Sequence, residues 1–289
     1  MRGRRSLSLV TFTLALLLAP LVVLGQSTFT PVDYPGATRT IAQGINAKGD
    51  VVGWYIDTAG KFHGFVRDKG GFAPIDYPQA TRTDAWAINP AGEITGSYND
   101  SKGVQHGYLL RRGRFTPFDV PGSTFTAGFG ISPEGDVVGH FGITPSGKMN
   151  GFLLRNGTFT TYNHPLPNAM TCGYGVSPER GIVGHFQDGA GIHGFLLNDD
   201  GFTAIDIPKG MSTYASGINP QGEIVGYYTE IATNRAHGFV LEPGNVVTQI
   251  DVPGALNTWV RRNNPRGDLV GSYQETAGGK IRGFLMTAR

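Results

Sequence analysis

Cysteine is nearly absent. Cys172 stands alone in 289 residues, so no intramolecular disulfide can form, and stability must come from core packing and from closure of the sheet system. Charge of one sign is equally scarce. The chain has 24 Lys+Arg and 22 Asp+Glu, and Arg2, Arg4 and Arg5 fall in an N-terminal segment without acids. Beyond that segment 21 basic residues face 22 acidic ones, a net of −1, so nothing marks a phosphate-binding surface and no nucleic-acid partner is expected. The G-x-S-x-G elbow, H-E-x-x-H, the P-loop, the dinucleotide fingerprint and an EF-hand-like calcium loop are all missing.

The N-terminal segment pairs a basic start, Met1-Arg2-Gly3-Arg4-Arg5, with an apolar run from Leu7 to Leu24 that Pro20 interrupts. With Val23-Leu24-Gly25 at its end, this layout predicts a signal peptide over residues 1–25, cleaved after Gly25. The run is just long enough to span a bilayer, so an uncleaved anchor is the alternative. Arg4-Arg5 leaves the general and twin-arginine export routes both open. No cysteine follows the run, which argues against a lipoprotein. The expected mature chain is a secreted or periplasmic monomer, one domain over residues 26–289, with no membrane segment and enough length to bury a large core.

Glycine is plentiful at 44 residues and recurs at fixed positions, which marks a repeat and not disorder. D-x-P segments start at Asp33, Asp76, Asp119, Asn163, Asp206 and Asp251, at spacings of 43, 43, 44, 43 and 45. The glycine of an H-G-F segment recurs at Gly64, Gly107, Gly151, Gly194, Gly238 and Gly283. A threonine six residues before the Asn or Ser of a turn recurs at Thr40, Thr83, Thr126, Thr171, Thr213 and Thr258. Each repeat reads as four short strands. In the first they fall at Arg39–Asn46 (A), Asp50–Tyr55 (B), His63–Arg67 (C) and Phe72–Asp76 (D). The expected fold is all-β, a six-bladed β-propeller with four-stranded antiparallel blades. A lone strand Phe29–Asp33 opens the mature chain, and the last repeat stops after Gly283–Thr287, so the N-terminal strand is expected to close the last blade. A β-solenoid would not need complementary ends.

In strand A the positions two and four before the turn are small: Gly44 and Ala42, Ala87 and Ala85, Gly130 and Gly128, Gly175 and Gly173, Gly217 and Ala215. The sixth copy carries Arg262 and Val260 there. Gln43, Trp86, Phe129 and Tyr174 lie between, so period-two alternation sets them on the opposite face, and the small face is expected to accept a bulky face of the next blade.

His63-Gly64-Phe65, His106-Gly107-Tyr108, His193-Gly194-Phe195 and His237-Gly238-Phe239, with Asn150-Gly151-Phe152 and Arg282-Gly283-Phe284, resemble the HAF-type repeats of secreted bacterial proteins. The resemblance covers residues 28–287 and implies the architecture. It supplies no catalytic residues. Antiparallel geometry sets each of these histidines beside the Asp of its own D-x-P: His63 with Asp76, His106 with Asp119, His193 with Asp206, His237 with Asp251. Asn150 would meet Asn163, and Arg282 would meet Asp33. These pairs are expected to staple the outer strands.

Function is expected where the copies disagree. After the V-V-G of strand B they read Trp54, Ser97, His140, His185, Tyr227 and Ser272. His140 and His185 occupy equivalent places in neighbouring blades, His164 lies in the loop between them, and Tyr174 and Cys172 lie on the following strand. His140, His164, His185 and Tyr174 are therefore the candidate catalytic set, able to supply a base and an acid or to hold a divalent metal; no other cofactor is implied. The alternative is that the two histidines only pack against Gly128 and Gly173. Candidate ligand-binding residues are Arg39, Arg82 and Trp86, beside Asp84, and Trp259 and Arg261 of the sixth copy, where Arg261 or Arg262 could reach the central channel and attract an anion. The leading reading is a propeller that binds an extracellular carbohydrate or other small ligand. The alternatives are a polysaccharide lyase or glycoside hydrolase working at the junction of blades 3 and 4, and a protein-interaction scaffold with an exposed apolar patch.

Overall fold

Alternating, β-rich segments punctuated by Pro-x-Gly turns fold into strands, and no helix is found among the described residues. The computed structural model describes residues 27–144 and 147–287, and the signal-peptide expectation lies outside them. Strand β1 (Thr28–Val32) comes first. Blade 1 holds β2 (Arg39–Ile45), β3 (Val51–Ile56), β4 (Phe62–Asp68) and β5 (Gly71–Ile75). Blade 2 holds β6 (Arg82–Ile88), β7 (Ile94–Asn99), β8 (Gln105–Arg111) and β9 (Arg114–Phe118). Blade 3 holds β10 (Phe125–Ile131), β11 (Val137–Gly142), β12 (Met149–Arg155) and β13 (Thr158–Tyr162). Blade 4 holds β14 (Met170–Ser177), β15 (Gly181–Gln187), β16 (Ile192–Asn198) and β17 (Gly201–Ile205). Blade 5 holds β18 (Gly210–Ile218), β19 (Ile224–Glu230), β20 (Ala236–Glu242) and β21 (Val246–Ile250). The last group is β22 (Asn257–Asn263), β23 (Leu269–Gln274) and β24 (Ile281–Thr287), with β1 as its fourth strand.

Strand β1 runs antiparallel to β24, from Thr28 opposite Thr287 to Val32 opposite Gly283. Strand β2 packs against β22, β23 and β24, and the Asn264 side chain donates to the Asn46 carbonyl at 3.1 Å, so the sixth group meets the first. Single parallel bridges, Phe62 with Arg82 and Ile192 with Ser212, link blade 1 to blade 2 and blade 4 to blade 5. No helix among the described residues is long and apolar enough to cross a membrane.

The core follows from the motifs. The aromatic of each H-G-F (Phe65, Tyr108, Phe152, Phe195, Phe239, Phe284) is at most 1% exposed. Each lies over the glycine of the V-V-G on the neighbouring strand. A Cβ on Gly184 would stand 2.0 Å from the Cys172 carbonyl oxygen and 2.8 Å from the Phe195 ring. We expect Gly184→Ala to cost about 2–3 kcal/mol in urea unfolding, because a backbone atom cannot step aside. Gly189→Ala, with open space around its Cβ, should leave the midpoint unchanged.

The conserved threonine caps a turn. Its hydroxyl accepts from the backbone N–H of the middle D-x-P residue in all six copies, at 2.9–3.1 Å. The four His–Asp pairs form as expected, Nδ1 to carboxylate at 2.8–3.0 Å. A second acid faces each Nε2: Asp57 at 3.3 Å, Asp100 at 3.7 Å, Asp188 at 3.6 Å and Glu230 at 3.9 Å. Backbone N–H groups of Lys61, Val104 and Ala190 head the contacts that hold Asp57, Asp100 and Asp188 below the usual carboxylate range. Arg282 meets Asp33 at 3.8 Å. Blade 3 corrects one expectation: Asn150 donates to the Lys148 carbonyl at 3.0 Å, and not to Asn163. There the second acid is also missing, since Ile143 stands in its place, 64% exposed.

Each innermost strand contains a β-bulge. The register shifts between Ala42 and Gly44, Ala85 and Ala87, Gly128 and Gly130, Gly173 and Gly175, Ala215 and Gly217, and Val260 and Arg262. The unpaired residue is Gln43, Trp86, Phe129, Tyr174, Ser216 or Arg261. A bulge re-aims that side chain and breaks strict alternation. The small-face expectation therefore holds at one position and fails at the other. Gly128 and Gly173 do accept the rings of Phe118 and Tyr162 from the preceding blade. Gly130, Gly175 and Gly217 are small because neighbouring innermost strands crowd together: Cβ atoms there would meet the Tyr174 carbonyl at 2.2 Å, the Gly217 Cα at 3.1 Å and the Arg262 Cα at 3.2 Å.

Candidate functional site

The innermost strands and their turns share one axis. A cavity of about 100 Å³ is lined by the A–B turns of all six repeats, including Asn46, Asn89, Pro133, Ser177, Asn219 and Asn264. Beside it a smaller space touches Gly44, Ala87, Gly130, Gly175, Ile218 and Arg262. Arg262 fills the axis here. Its guanidinium donates to the Phe129 carbonyl at 2.6 Å and to the Tyr174 carbonyl, so the sixth copy reaches the third and fourth. Burial lowers its pKa to about 10, which leaves it charged at neutral pH. The expectation that Arg262 could face an anion in an open channel gives way to a cation wedged among backbone carbonyls.

On the other side of Arg262, toward the D–A and B–C loops, the bulged residues and the divergent B-strand positions meet. Trp54, Ser97, His140, His185, Tyr227 and Ser272 stand opposite Ile41, Asp84, Ala127, Cys172, Tyr214 and Trp259. Rings follow one another around this cup. Trp86 lies 4.4 Å from Phe129, which lies 4.7 Å from His140 and 5.2 Å from Tyr174. Tyr174 stacks on His185 at 5.4 Å, His185 meets Tyr214 edge-on at 5.0 Å, and Tyr214 stacks on Tyr227 at 4.6 Å. The Arg261 guanidinium closes the run, 4.8 Å above Tyr227. In blade 1, Trp54 and Phe62 lie 5.5 Å apart, and Arg82 sits 4.0 Å over Phe62. Trp54, Trp86, His140, Tyr174, His185, Tyr214, Tyr227, Trp259 and Arg261 are all half-buried. Ile143, Leu166 and Ile231 on loops, and Met211 at the start of β18, are exposed at the same end.

Burial sets the electrostatics. It drives His140 down to about 3, with His185 adding repulsion, and His185 down to about 4, so both are neutral imidazoles at neutral pH. Burial pushes the Cys172 thiol up to about 12 and Tyr214 up to about 12. A thiol of that kind is no nucleophile. Asp84 is raised by burial, but Arg82 grips it with two bonds, 2.6 and 3.1 Å. Several polar atoms of the cup are buried with no hydrogen-bond partner: Trp54 Nε1, His140 Nδ1, His185 Nδ1, Ser272 Oγ and Arg261 Nε. Buried orphans of this kind are rare in folded proteins, and each calls for an explanation.

The structure brings together His140, His185, Tyr174, Trp86 and Arg261. His164 does not join them. It stacks on Phe186 at 3.8 Å, and Phe186 follows His185 on β15, so the two side chains leave opposite faces. His164 fills the slot that Tyr34 and Tyr77 fill in blades 1 and 2, where they stack on Tyr55 and Tyr98. Among the described residues no group of three or more His, Cys, Asp or Glu is placed to hold a metal ion. Arg39 is exposed at the start of β2, and Arg82 is committed to Asp84 and Phe62. Trp259 stands opposite Ser272. Phe129, Tyr214 and Tyr227 complete the cup, although none of them is among the candidate site residues of the sequence. Their signal was their alignment with Trp86, Cys172 and His140 in the repeat.

No family model and no curated protein matches the sequence. Solved structures do resemble the fold. Virginiamycin B lyase from Staphylococcus aureus is 14% identical with a TM-score of 0.51, over 89% of this chain and 88% of its own. A gluconolactonase from Xanthomonas campestris is 11% identical with a TM-score of 0.56, over 92% and 91%. The Aleuria aurantia lectin, a six-bladed β-propeller that recognises fucose, is 10% identical with a TM-score of 0.53, over 89% and 93%. At such identities the likeness establishes the fold alone, which is that of a β-propeller.

Proposed function

We propose that this chain is an exported six-bladed β-propeller, its ring closed by the N-terminal strand, that binds an extracellular carbohydrate in the axial cup. The observation that carries the reading is the run of rings from Trp86 to Tyr227, half-buried at every member but Phe129, which is buried behind them. Aromatic faces suit the apolar faces of sugar rings, and the orphaned donors and acceptors among them suit hydroxyls. The His–Asp pairs are already made within the four blades that carry them, which favours one asymmetric site over six equivalent ones. The H-G-F motifs support grouping the chain with HAF-type repeat proteins, and the basic-apolar leader supports export. Pairing of β1 with β24 supports a closed ring and a monomer.

A second reading, a polysaccharide lyase or glycoside hydrolase, draws on the contiguity of His140, Tyr174 and His185. Their protonation tells against it. A base whose conjugate acid lies near 3 or 4 drives little proton transfer at neutral pH.

The test is a saccharide panel followed by calorimetry and by mass analysis of the sugar. We expect binding with the sugar mass unchanged. Trp86→Ala should weaken binding at least about tenfold, the loss of one stacked ring. His193→Ala, on a staple, should leave affinity as it was. Released fragments would move the site to the enzyme reading.

A further inference from the structure

The cup holds two adjacent cations and no acid to match them. Among the described residues, neither Arg261 nor Arg262 has a carboxylate within 4.0 Å, although eight other arginine and histidine groups outside the cup do. The one buried acid of the cup, Asp84, is taken by Arg82. Arg262 spends its donors on the carbonyls of Phe129, Tyr174 and Arg261. Those contacts hold it in place and leave its charge standing. Arg261 is freer. Its guanidinium lies on Tyr227, and its Nε is buried with no partner. A desolvated charge without a counter-charge is costly, and a guanidinium fork fits an oxyanion through two parallel bonds.

Resting on the carbohydrate reading above, we propose that Arg261, backed by Arg262, forms an anion subsite on the sixth-blade wall of the cup, and that the ligand is an acidic saccharide whose ring carboxylate seats on Arg261. The rings of Tyr214 and Tyr227 then lie under the sugar that carries the charge, and the neutral His140 and His185 meet its hydroxyls. A uronate has this chemistry: a flat carboxylate fixed to a sugar ring.

The three tryptophans of the chain, Trp54, Trp86 and Trp259, all lie at cup positions, so indole emission reports this site without a label. Two titrations separate the proposal from the reading beneath it. In the first, trigalacturonate and its methyl ester are titrated at low salt against wild type, Arg261→Gln and Arg261→Lys, with melting curves to confirm the fold. The acid should bind at least about tenfold tighter than the ester, Arg261→Gln should bring the ratio near one, and Arg261→Lys should keep part of it. In the second, iodide should quench emission more than caesium at equal ionic strength, and Arg261→Gln should reduce that difference. Equal binding of acid and ester with no iodide preference overturns the anion subsite and leaves the carbohydrate reading intact. An iodide preference that depends on Arg261, with neither saccharide bound, supports the subsite and overturns the carbohydrate reading. An acid preference that survives Arg261→Gln assigns the anion to another group and overturns the proposal.

Discussion

Arg262→Ala should destabilise the fold by about 3–5 kcal/mol in equilibrium unfolding, the largest effect of any single side-chain truncation at the axis. The figure combines two hydrogen bonds from a charged donor, about 1.5–3 kcal/mol each, with the cavity left by a long side chain. The bonds matter because of where they land. Phe129 and Tyr174 are the bulged residues of β10 and β14, whose backbone the bulge takes out of ladder register. Arg262 supplies donors to both carbonyls from the far side of the axis. Its room is made by Gly44, Gly130 and Gly175, which line the same space, and by Gly217, where a Cβ would stand 3.2 Å from the Arg262 Cδ. Arg262→Met separates the two contributions, since it keeps volume and loses the donors. Its loss should fall between those of wild type and Arg262→Ala. If Arg262→Ala stays within about 1 kcal/mol of wild type, the axial wedge is not what joins the third, fourth and sixth copies.

Acid should weaken the fold well above the carboxylate range. His140 and His185 titrate near 6.5 when unfolded, but near 3 and near 4 when folded, because burial disfavours the imidazolium. As pH falls below 6.5 the unfolded chain takes up protons that the folded chain refuses. Stability is therefore complete above 6.5 and declines toward 4 for His185 and toward 3 for His140. Each histidine contributes a slope of up to about 1.4 kcal/mol per pH unit inside that window. Asp84, raised by burial, acts in the opposite sense, and Asp57, Asp100 and Asp188, held low, lose their contribution only in stronger acid. His164, also lowered by burial, adds in the same sense, so the share of His140 and His185 is read by difference against a variant that lacks them. Thermal melts of wild type and of a His140→Gln, His185→Gln double variant across that window check the slope. The double variant should give the flatter curve. Parallel curves would mean that the two imidazoles are solvated.

Much of this architecture is legible in the repeat. The D-x-P, H-G-F and threonine registers locate the strands to within a residue or two, and the unpaired Phe29–Asp33 segment points to β24. The His–Asp pairs are legible because a short C–D hairpin fixes which residues face each other. Asn150 and Asn163 show the limit of that argument. Co-substitution marks a site that has lost its function in the staple, and the two side chains are then free to part. The bulge is invisible for a different reason. Every copy has it, so no copy shows the regular strand against which an extra residue would stand out. Simple alternation keeps Trp86, Phe129 and Tyr174 on the face of Asp84, Ala127 and Cys172, where they are found, but sets Gly130 and Gly175 on the opposite face, away from the neighbouring innermost strands they meet. The contacts of Arg262 lie 133 and 88 residues away, beyond any local pattern. His164 was within reach of sequence reasoning. It occupies the same D-x-P slot as Tyr34 and Tyr77, and a residue in that slot belongs to the packing behind the wall.

The claim at the centre of this account is that one asymmetric cup binds ligand, and the repeated blades do not. Calorimetric titration of trigalacturonate, or of whichever panel saccharide binds tightest, measures this as a stoichiometry. The account predicts one equivalent per chain, its affinity weakened at least about tenfold in Trp86→Ala and unchanged in His193→Ala. Four to six equivalents, indifferent to Trp86 and reduced by changes at His63, His106, His193 and His237, would contradict it and place recognition in the repeats.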